Sequence, residues 1–404
     1  MESLVKRLQA RPDLEYAEPD HIGTGFETAP NDPNFSSQWY HKNTASTAAV
    51  PADIRSTLAW DITQGVATVI VAMVDTGLST NLSEFAGRIE PGYDFVNGDA
   101  DPSDDHNHGT RVASILGASG SNGTLVAGVN WRCRIMPLKG LNASNQGYYS
   151  DWADAIEYAA DHGAKVINLS AGGYSTDWTL SNAIMNAVSR GVIFVAATGN
   201  DNTSVGYPAS MKVVIAVGAT GANDRRASWS NYGTSLDLVA PGDNMTCVNR
   251  DGTLRTGSYG TSYACPLVAG TASLLVGLRP ELNQAEVCAI LTASANDCVG
   301  DATDTPGFDN YYGWGRLNAY NALVMAMNTP EGAPAPGGGA TLSWSSPPNA
   351  SNRAPYRVQY KTSLGSAWMD CAETQFTYTS STTRWTSTNP LPDCIYYRIG
   401  ARPR

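Results

Sequence analysis

This chain is short of charge. Only 16% of its 404 residues are Asp, Glu, Lys or Arg, a low share for a cytosolic protein, and Ser, Thr, Asn and Gly are plentiful instead. What charge there is leans acidic, with 37 Asp and Glu against 26 Lys and Arg. Nucleic acid is a poor partner for such a balance, because phosphate binding needs basic surface. No pair among the seven cysteines has CxxC spacing, so neither a zinc site nor a dithiol redox site has support. No apolar run stands out as long enough to span a bilayer. The first twenty residues lack the apolar core of a secretory signal. With this composition the chain reads as exported, its signal lying upstream. Histidine is scarce too, at five.

What is present divides into four zones. Residues 1–30 are polar and run into the Pro/Asn-rich TAPNDPNF. Residues 31–328 alternate apolar strands with amphipathic helices. Residues 329–339, TPEGAPAPGGG, read as a linker. Residues 340–404, rich in Thr, Ser, Tyr and Trp, read as a small all-β module. Cys371 with Cys394, and Cys288 with Cys298, are plausible disulfides for an oxidising compartment. Cys133 and Cys247 have no obvious partner, and Cys265 sits in an apolar run as a free buried thiol.

The second zone carries the fold signal. VATVIVAMVD is a continuous β-branched run, expected of a strand buried on both faces. RIMPL, KVINLS, VIFVAA and VVIAVGA are similar. Between them, SDWADAIEYAADHG reads as a helix with Ser150 as N-cap and Gly163 as its stop, and TLSNAIMNAVSRG as another. Strands alternating with helices predict an α/β fold with a doubly wound, mostly parallel sheet, whose ligand sites lie at the carboxyl ends of the strands.

Three segments carry chemistry. Asp75 ends the most apolar strand, in VAMVDTG, where an acid is costly to bury without a use. His108 opens a helical pattern in DDHNHGTRVASI. Ser262 opens a long apolar helix in YGTSYACPLVAGTASLLVG. A serine hydroxyl needs an imidazole to take its proton, and the imidazole needs a carboxylate to orient it. A helix N-terminus adds N–H groups that can hold an oxyanion. Taken singly, each has a blander reading: a strand-end turn acid, a helix-start residue, an N-cap serine.

Together VDTG, HGT and GTSxAxP, in this order, resemble the three signature boxes of the subtilisin-like serine proteases, the subtilase family. The resemblance implies a serine endopeptidase acting on proteins or peptides, without an organic cofactor, with Asp75, His108 and Ser262 as its triad. VIFVAATGND resembles the family strand whose Asn donates to the oxyanion, which implies that role for Asn200, with Thr198 and Gly199 beside the pocket. INLSAGG resembles the wall of the primary pocket, implying Ser170, Ala171 and Gly172. SNQGYYS resembles the opposing edge, implying Gly147. Gly, Ala and Ser in these segments suggest a roomy pocket for an apolar or aromatic side chain. Where the family often has HGTHVAG and a Met after the nucleophile, this chain has Arg111, Ser114 and Tyr263.

The resemblance also implies structural Ca²⁺. YDFVNGDADPSDDHNH offers Asp99, Asp101 and Asp104, and GSNGTLVAGV resembles the family's tight calcium loop, with Asn122, Thr124 and Val126 as ligands. Glu84 stands where the family usually has a ligating Asp. Hard oxygen ligands suit this ion. LQARPDLEYAEPDH resembles the end of the family's propeptide, so residues 1–30 read as a propeptide remnant, cut away between about His21 and Asn34. The module at 340–404 resembles small fibronectin-like sandwiches, and the enzyme reads as a monomer. Rival readings of the same residues are a catalytically silent binding protein, and an esterase or peptide ligase.

Overall fold

Every strand pairing in the central sheet is parallel, as strands buried on both faces require. The computed structural model describes residues 27–45 and 51–328, and between Glu331 and Ala401 short backbone strands only. Most of the expected propeptide remnant, the Cys371–Cys394 pairing and the side chains of the linker and C-terminal module lie outside the described residues; Glu331–Ala335, within the expected linker, is a strand paired antiparallel with Gly339–Ser345. The sheet consists of β1 (Ile70–Asp75), β2 (Tyr93–Asp94), β3 (Arg134–Lys139), β4 (Val166–Leu169), β5 (Ile193–Ala197), β6 (Ile215–Thr220) and β7 (Leu238–Pro241). Its order is β2-β3-β1-β4-β5-β6-β7, with all six pairs parallel. Strands β2 and β3 lie on one side of β1 and β4 to β7 step away on the other, the doubly wound arrangement expected of alternating strands and helices.

Successive residues of β1 feed opposite cores. Val71 and Met73 join the cluster packed by helices α2 (His108–Gly117) and α5 (Thr261–Leu278), whereas Ala72 and Val74 join the one packed by α3 (Tyr149–Asp161) and α4 (Trp178–Ser189). The alternation is the strand period of two. Helix α5 is apolar on all sides because it threads the first core. By length and composition alone it could cross a membrane, contrary to the expectation that no stretch qualifies, but 89% of it is buried inside the fold.

Local chemistry sets the helix ends, with one correction. Ser150 lies inside the first turn of α3 instead of capping it; Tyr148 is the N-cap, without a side-chain bond, and Asp151 places a negative charge in that turn. Gly163 ends the helix at φ +81°. Asp177 caps α4 by accepting from the Leu180 N–H at 2.8 Å. The expected Cys288–Cys298 bridge is also corrected, since both thiols are free. Cys288, half-buried on α6 (Gln284–Ala293), points its thiol at Asp237, and Cys298 is exposed on a turn with its thiol toward Asp297. Cys265 is free and buried, as its apolar run suggests.

Candidate active site

Asp75 is the last residue of β1, and the chain segments leaving β3, β4 and β5 emerge beside it at the same edge. They line one cavity of about 610 Å³, whose walls include His108, Gly147, Ser170, Ala171, Gly172, Thr198, Gly199, Asn200 and Ser262. Asp75 lies buried behind it. The structure therefore gathers every residue expected of the triad, the oxyanion donor and the pocket.

His108 Nδ1 lies 2.7 Å from Asp75 Oδ1, and the same oxygen accepts from the Thr76 N–H at 2.7 Å. This pairing rests on a network that spans the end of β1 and the start of α2. Asp104 Oδ1 accepts from the Thr76 hydroxyl and from the N–H groups of His106 and Asn107. Its Oδ2 accepts from the N–H and hydroxyl of Thr110. Thr76 Oγ1 in turn accepts from the Gly109 N–H at 2.9 Å. A Cβ on Gly109 would fall 2.1 Å from the Gly77 carbonyl oxygen, so only glycine lets the helix carrying His108 approach β1 this closely. Behind Thr76, the buried Lys139 donates to the Thr76 and Leu141 carbonyls and to Asp105.

Burial pulls the His108 pKa down, but the adjacent Asp75 raises it by charge and by hydrogen bond, with help from Asp104, and the net position is above the ordinary value. Burial likewise opposes ionisation of Asp104, yet its donors outweigh that and hold the carboxyl below the usual range. The Tyr263 ring packs against the imidazole, with centroids 5.8 Å apart. Arg111 turns aside to donate to Asn249. The departures at Tyr263 and Arg111 are thus accommodated around His108.

Ser262 sits in the first turn of α5, where its N–H has no partner within the helix. Pro266, one turn on, has no N–H to give the Ser262 carbonyl. The Ser170 hydroxyl supplies that bond at 3.0 Å, itself receiving one from Asn168, so the Ser262 segment is fastened to the cavity wall. Asn200 Oδ1 accepts from the N–H and hydroxyl of Thr261, and among the described residues its Nδ2 has no acceptor. A Cβ on Gly260 would lie 2.9 Å from Ser262 Oγ and 3.5 Å from Asn200 Nδ2, so nucleophile and donor border the same small space. Ser262 Oγ and His108 open onto the cavity without a direct hydrogen bond; such contacts commonly tighten only with substrate bound. Among the described residues nothing accepts from or donates to the backbones of Gly147 and Gly172, so both edges are free to pair with an extended chain.

The expected metal ligands divide. Asp104 is corrected outright, because its five internal hydrogen bonds leave it no lone pair facing a cation. Asp99 and Asp101 are exposed and close local turns, accepting from the Asp101 and Ser103 N–H groups; the three acids do not converge. Among the described residues, the His, Cys, Asp and Glu side chains that do converge as a group of three are Asp297, Cys298 and Asp304, on an edge loop.

The second set fits a cation better. Glu84 is fully buried, and Asn122 and the Val126 N–H approach its two oxygens. The Leu125 and Ala127 carbonyls are occupied by Asn34, Gln38 and His41, whereas among the described residues no bond is made to those of Thr124 and Val126. A ligand candidate that sequence reasoning missed completes the set. Buried Asp32 accepts from the Ser121 N–H through Oδ2, while Oδ1 has no partner among the described residues. Burial raises both carboxyls, and the Asp32 charge raises Glu84 further. Two buried acids, an orphaned carboxylate oxygen and free carbonyls are the donor set of a hard cation. The signal for Asp32 lay in NDPNF, which has no pattern of its own until the fold brings it to the loop.

Known proteins resemble the chain in sequence and in fold. The subtilase family model matches residues 67–315. A thermophilic serine proteinase of Bacillus sp. (strain AK1) is 39% identical over 329 residues, covering 80% of this chain and 76% of the relative. Thermitase of Thermoactinomyces vulgaris is 38% identical over 295 residues, 73% of this chain and 99% of thermitase. Among solved structures, a protease from Pseudoalteromonas arctica superposes with a TM-score of 0.66 at 30% identity, over 74% of this chain and all of that one.

Proposed function

Because the chain belongs to the subtilase family and is a serine protease, we propose that it is an endopeptidase in which Asp75, His108 and Ser262 form the catalytic triad. The observation that carries this reading is the buried Asp75–His108 contact of 2.7 Å, on the wall of the cavity that Ser262 and the free Asn200 amide also line. A substrate strand lies between the edges at Gly147 and Gly172. Ser262 Oγ attacks the scissile carbonyl while His108 takes its proton. Asp75 holds the imidazole in the right tautomer and stabilises its charged form. Asn200 Nδ2 and the Ser262 N–H receive the oxyanion. His108 then protonates the leaving amine, and water releases the acyl group by the same steps in reverse. The Gly- and Ala-lined pocket suits an apolar or aromatic side chain before the scissile bond.

The same reading extends to the surroundings. Asp32, Glu84, Asn122 and the Thr124 and Val126 carbonyls would hold a Ca²⁺ ion, which neutralises the two buried acids and pins the N-terminal segment to the loop after α2. Low overall charge fits an extracellular enzyme released from its own propeptide. The test is hydrolysis of an unfolded protein and of a chromogenic peptide with Phe before the scissile bond, using this chain and Ser262→Ala. Loss of turnover and of sulfonyl fluoride labelling in Ser262→Ala supports the reading. Equal turnover in both proteins removes Ser262 from the mechanism, and no turnover by the folded wild type, freed of its N-terminal segment, favours a silent binding protein.

A further inference from the structure

The two walls of the pocket are joined at its mouth. One wall runs through Gly172, Gly173 and Tyr174, the other through Thr198, Gly199, Asn200 and Asp201. The Tyr174 hydroxyl donates to Asp201 Oδ2 and accepts from Asn231 Nδ2 at 2.9 Å. Asn231 is fully buried and serves as template for the second wall. Its Nδ2 also donates to the Thr198 carbonyl, its Oδ1 accepts from the Asp201 and Thr203 N–H groups, and its N–H donates to the Gly199 carbonyl. The fit is close enough that a Cβ on Gly199 would lie 2.4 Å from Asn231 Nδ2. Tyr174 is the first wall's attachment to this assembly, although the residue is 58% exposed. Among the described residues no cation pairs with Asp201, and the Tyr174 hydroxyl is the donor that its carboxylate has.

We propose that Tyr174 is a specificity-determining residue: its hydroxyl ties the pocket walls together and occupies Asp201, withholding from a basic substrate side chain the carboxylate that would otherwise attract it. A lysine entering the pocket must displace or share a bond between a phenol and a carboxylate, which is of the stronger, charge-assisted kind. Burial and the Asp201 charge both raise the Tyr174 pKa, so the phenol still donates in alkaline solution. An apolar side chain makes no demand on Asp201 and meets the tyrosine ring as part of its wall.

The inference rests on the endopeptidase reading, and its test separates the two. Peptide nitroanilides with Phe, norleucine or Lys before the scissile bond are assayed with the wild type, Tyr174→Phe, Asp201→Asn and the double variant, active sites being counted with a sulfonyl fluoride. Norleucine matches the lysine stem without its charge. In Tyr174→Phe the Lys-to-norleucine ratio of kcat/KM rises by about threefold to tenfold, the range of one exposed hydrogen bond to a charged group. The rise vanishes when Asp201 is Asn, because the two residues act on the ratio through each other. An unchanged ratio in Tyr174→Phe, or a rise of the same size in the Asp201→Asn background, overturns the proposal. Failure of the folded wild type to cleave any of the three peptides overturns the endopeptidase reading first.

Discussion

Asp104 accepts five hydrogen bonds and connects β1 to the helix that presents His108. Asp104→Asn keeps the shape but makes donors of some acceptors, so the Asp75–His108 alignment loosens. The expected outcome is a kcat/KM loss together with about 1–3 kcal/mol of lost stability, the range for an unsatisfied buried polar group. Its folded pKa is depressed, so the stabilisation is present above the ordinary Asp value and is lost as pH falls through the folded pKa. The stability gap between wild type and variant should be open above pH about 4 and close in stronger acid, as denaturant titrations across pH would record; a gap independent of pH would refute the role. The raised pKa of His108 has its own consequence. The base must be neutral, so the acid limb of kcat/KM falls above pH about 6.5, the unperturbed value for histidine. A limb centred at or below that pH would contradict the coupling to Asp75. Asn200→Ala removes the proposed oxyanion donor and should lower kcat by about 10²–10³-fold with little change in KM.

At the scale of elements, the attachment between Ser170 and α5 depends on a missing proton. Pro266 leaves the Ser262 carbonyl open, and Ser170 closes it. Ser170→Ala should therefore slow turnover and destabilise the fold by about 1 kcal/mol. Adding Pro266→Ala restores an N–H to the helix and should recover part of the stability lost; a strictly additive pair of substitutions would sink this account. The same elements show what was legible beforehand. VDTG, HGT and GTSYACP are contiguous, each carries its reactive residue at a strand end or helix start, and the structure brings His108 and Ser262 to the cavity with Asp75 buried behind it. The parallel sheet was equally plain in its continuous apolar runs. Asp104 was misread because a cluster of acids looks the same in sequence whether it faces a cation or the N-terminus of a helix. Asp32 and Asn231 were invisible for a related reason, since the Ser121 partner of Asp32 lies 89 residues away and the Thr203 and Tyr174 partners of Asn231 lie 28 and 57 residues away. Ser150 looked like a cap by residue type, but the turn at Tyr148 had already begun the helix.

For the molecule as a whole, the buried pair Asp32 and Glu84 predicts a dependence on calcium. Removing the ion with a chelator should lower the melting temperature, and a ligand present at one hundred times its Kd accounts for about 2.7 kcal/mol. In Asp32→Asn the chelator should have a much smaller effect; an equal shift in both proteins would place the calcium elsewhere, and no shift in either would dismiss it. Helix α5 has a different consequence. Ser262, the proposed nucleophile, is itself buried and opens an 18-residue helix with nearly every position buried, so an opening that displaces it comes close to global unfolding. A solution of this enzyme then contains cutters and prey with almost nothing between: intact molecules at full strength, and unfolded ones that the intact molecules consume. Its lifetime at a given temperature is set by how often a whole molecule opens, and autolysis makes each such event final.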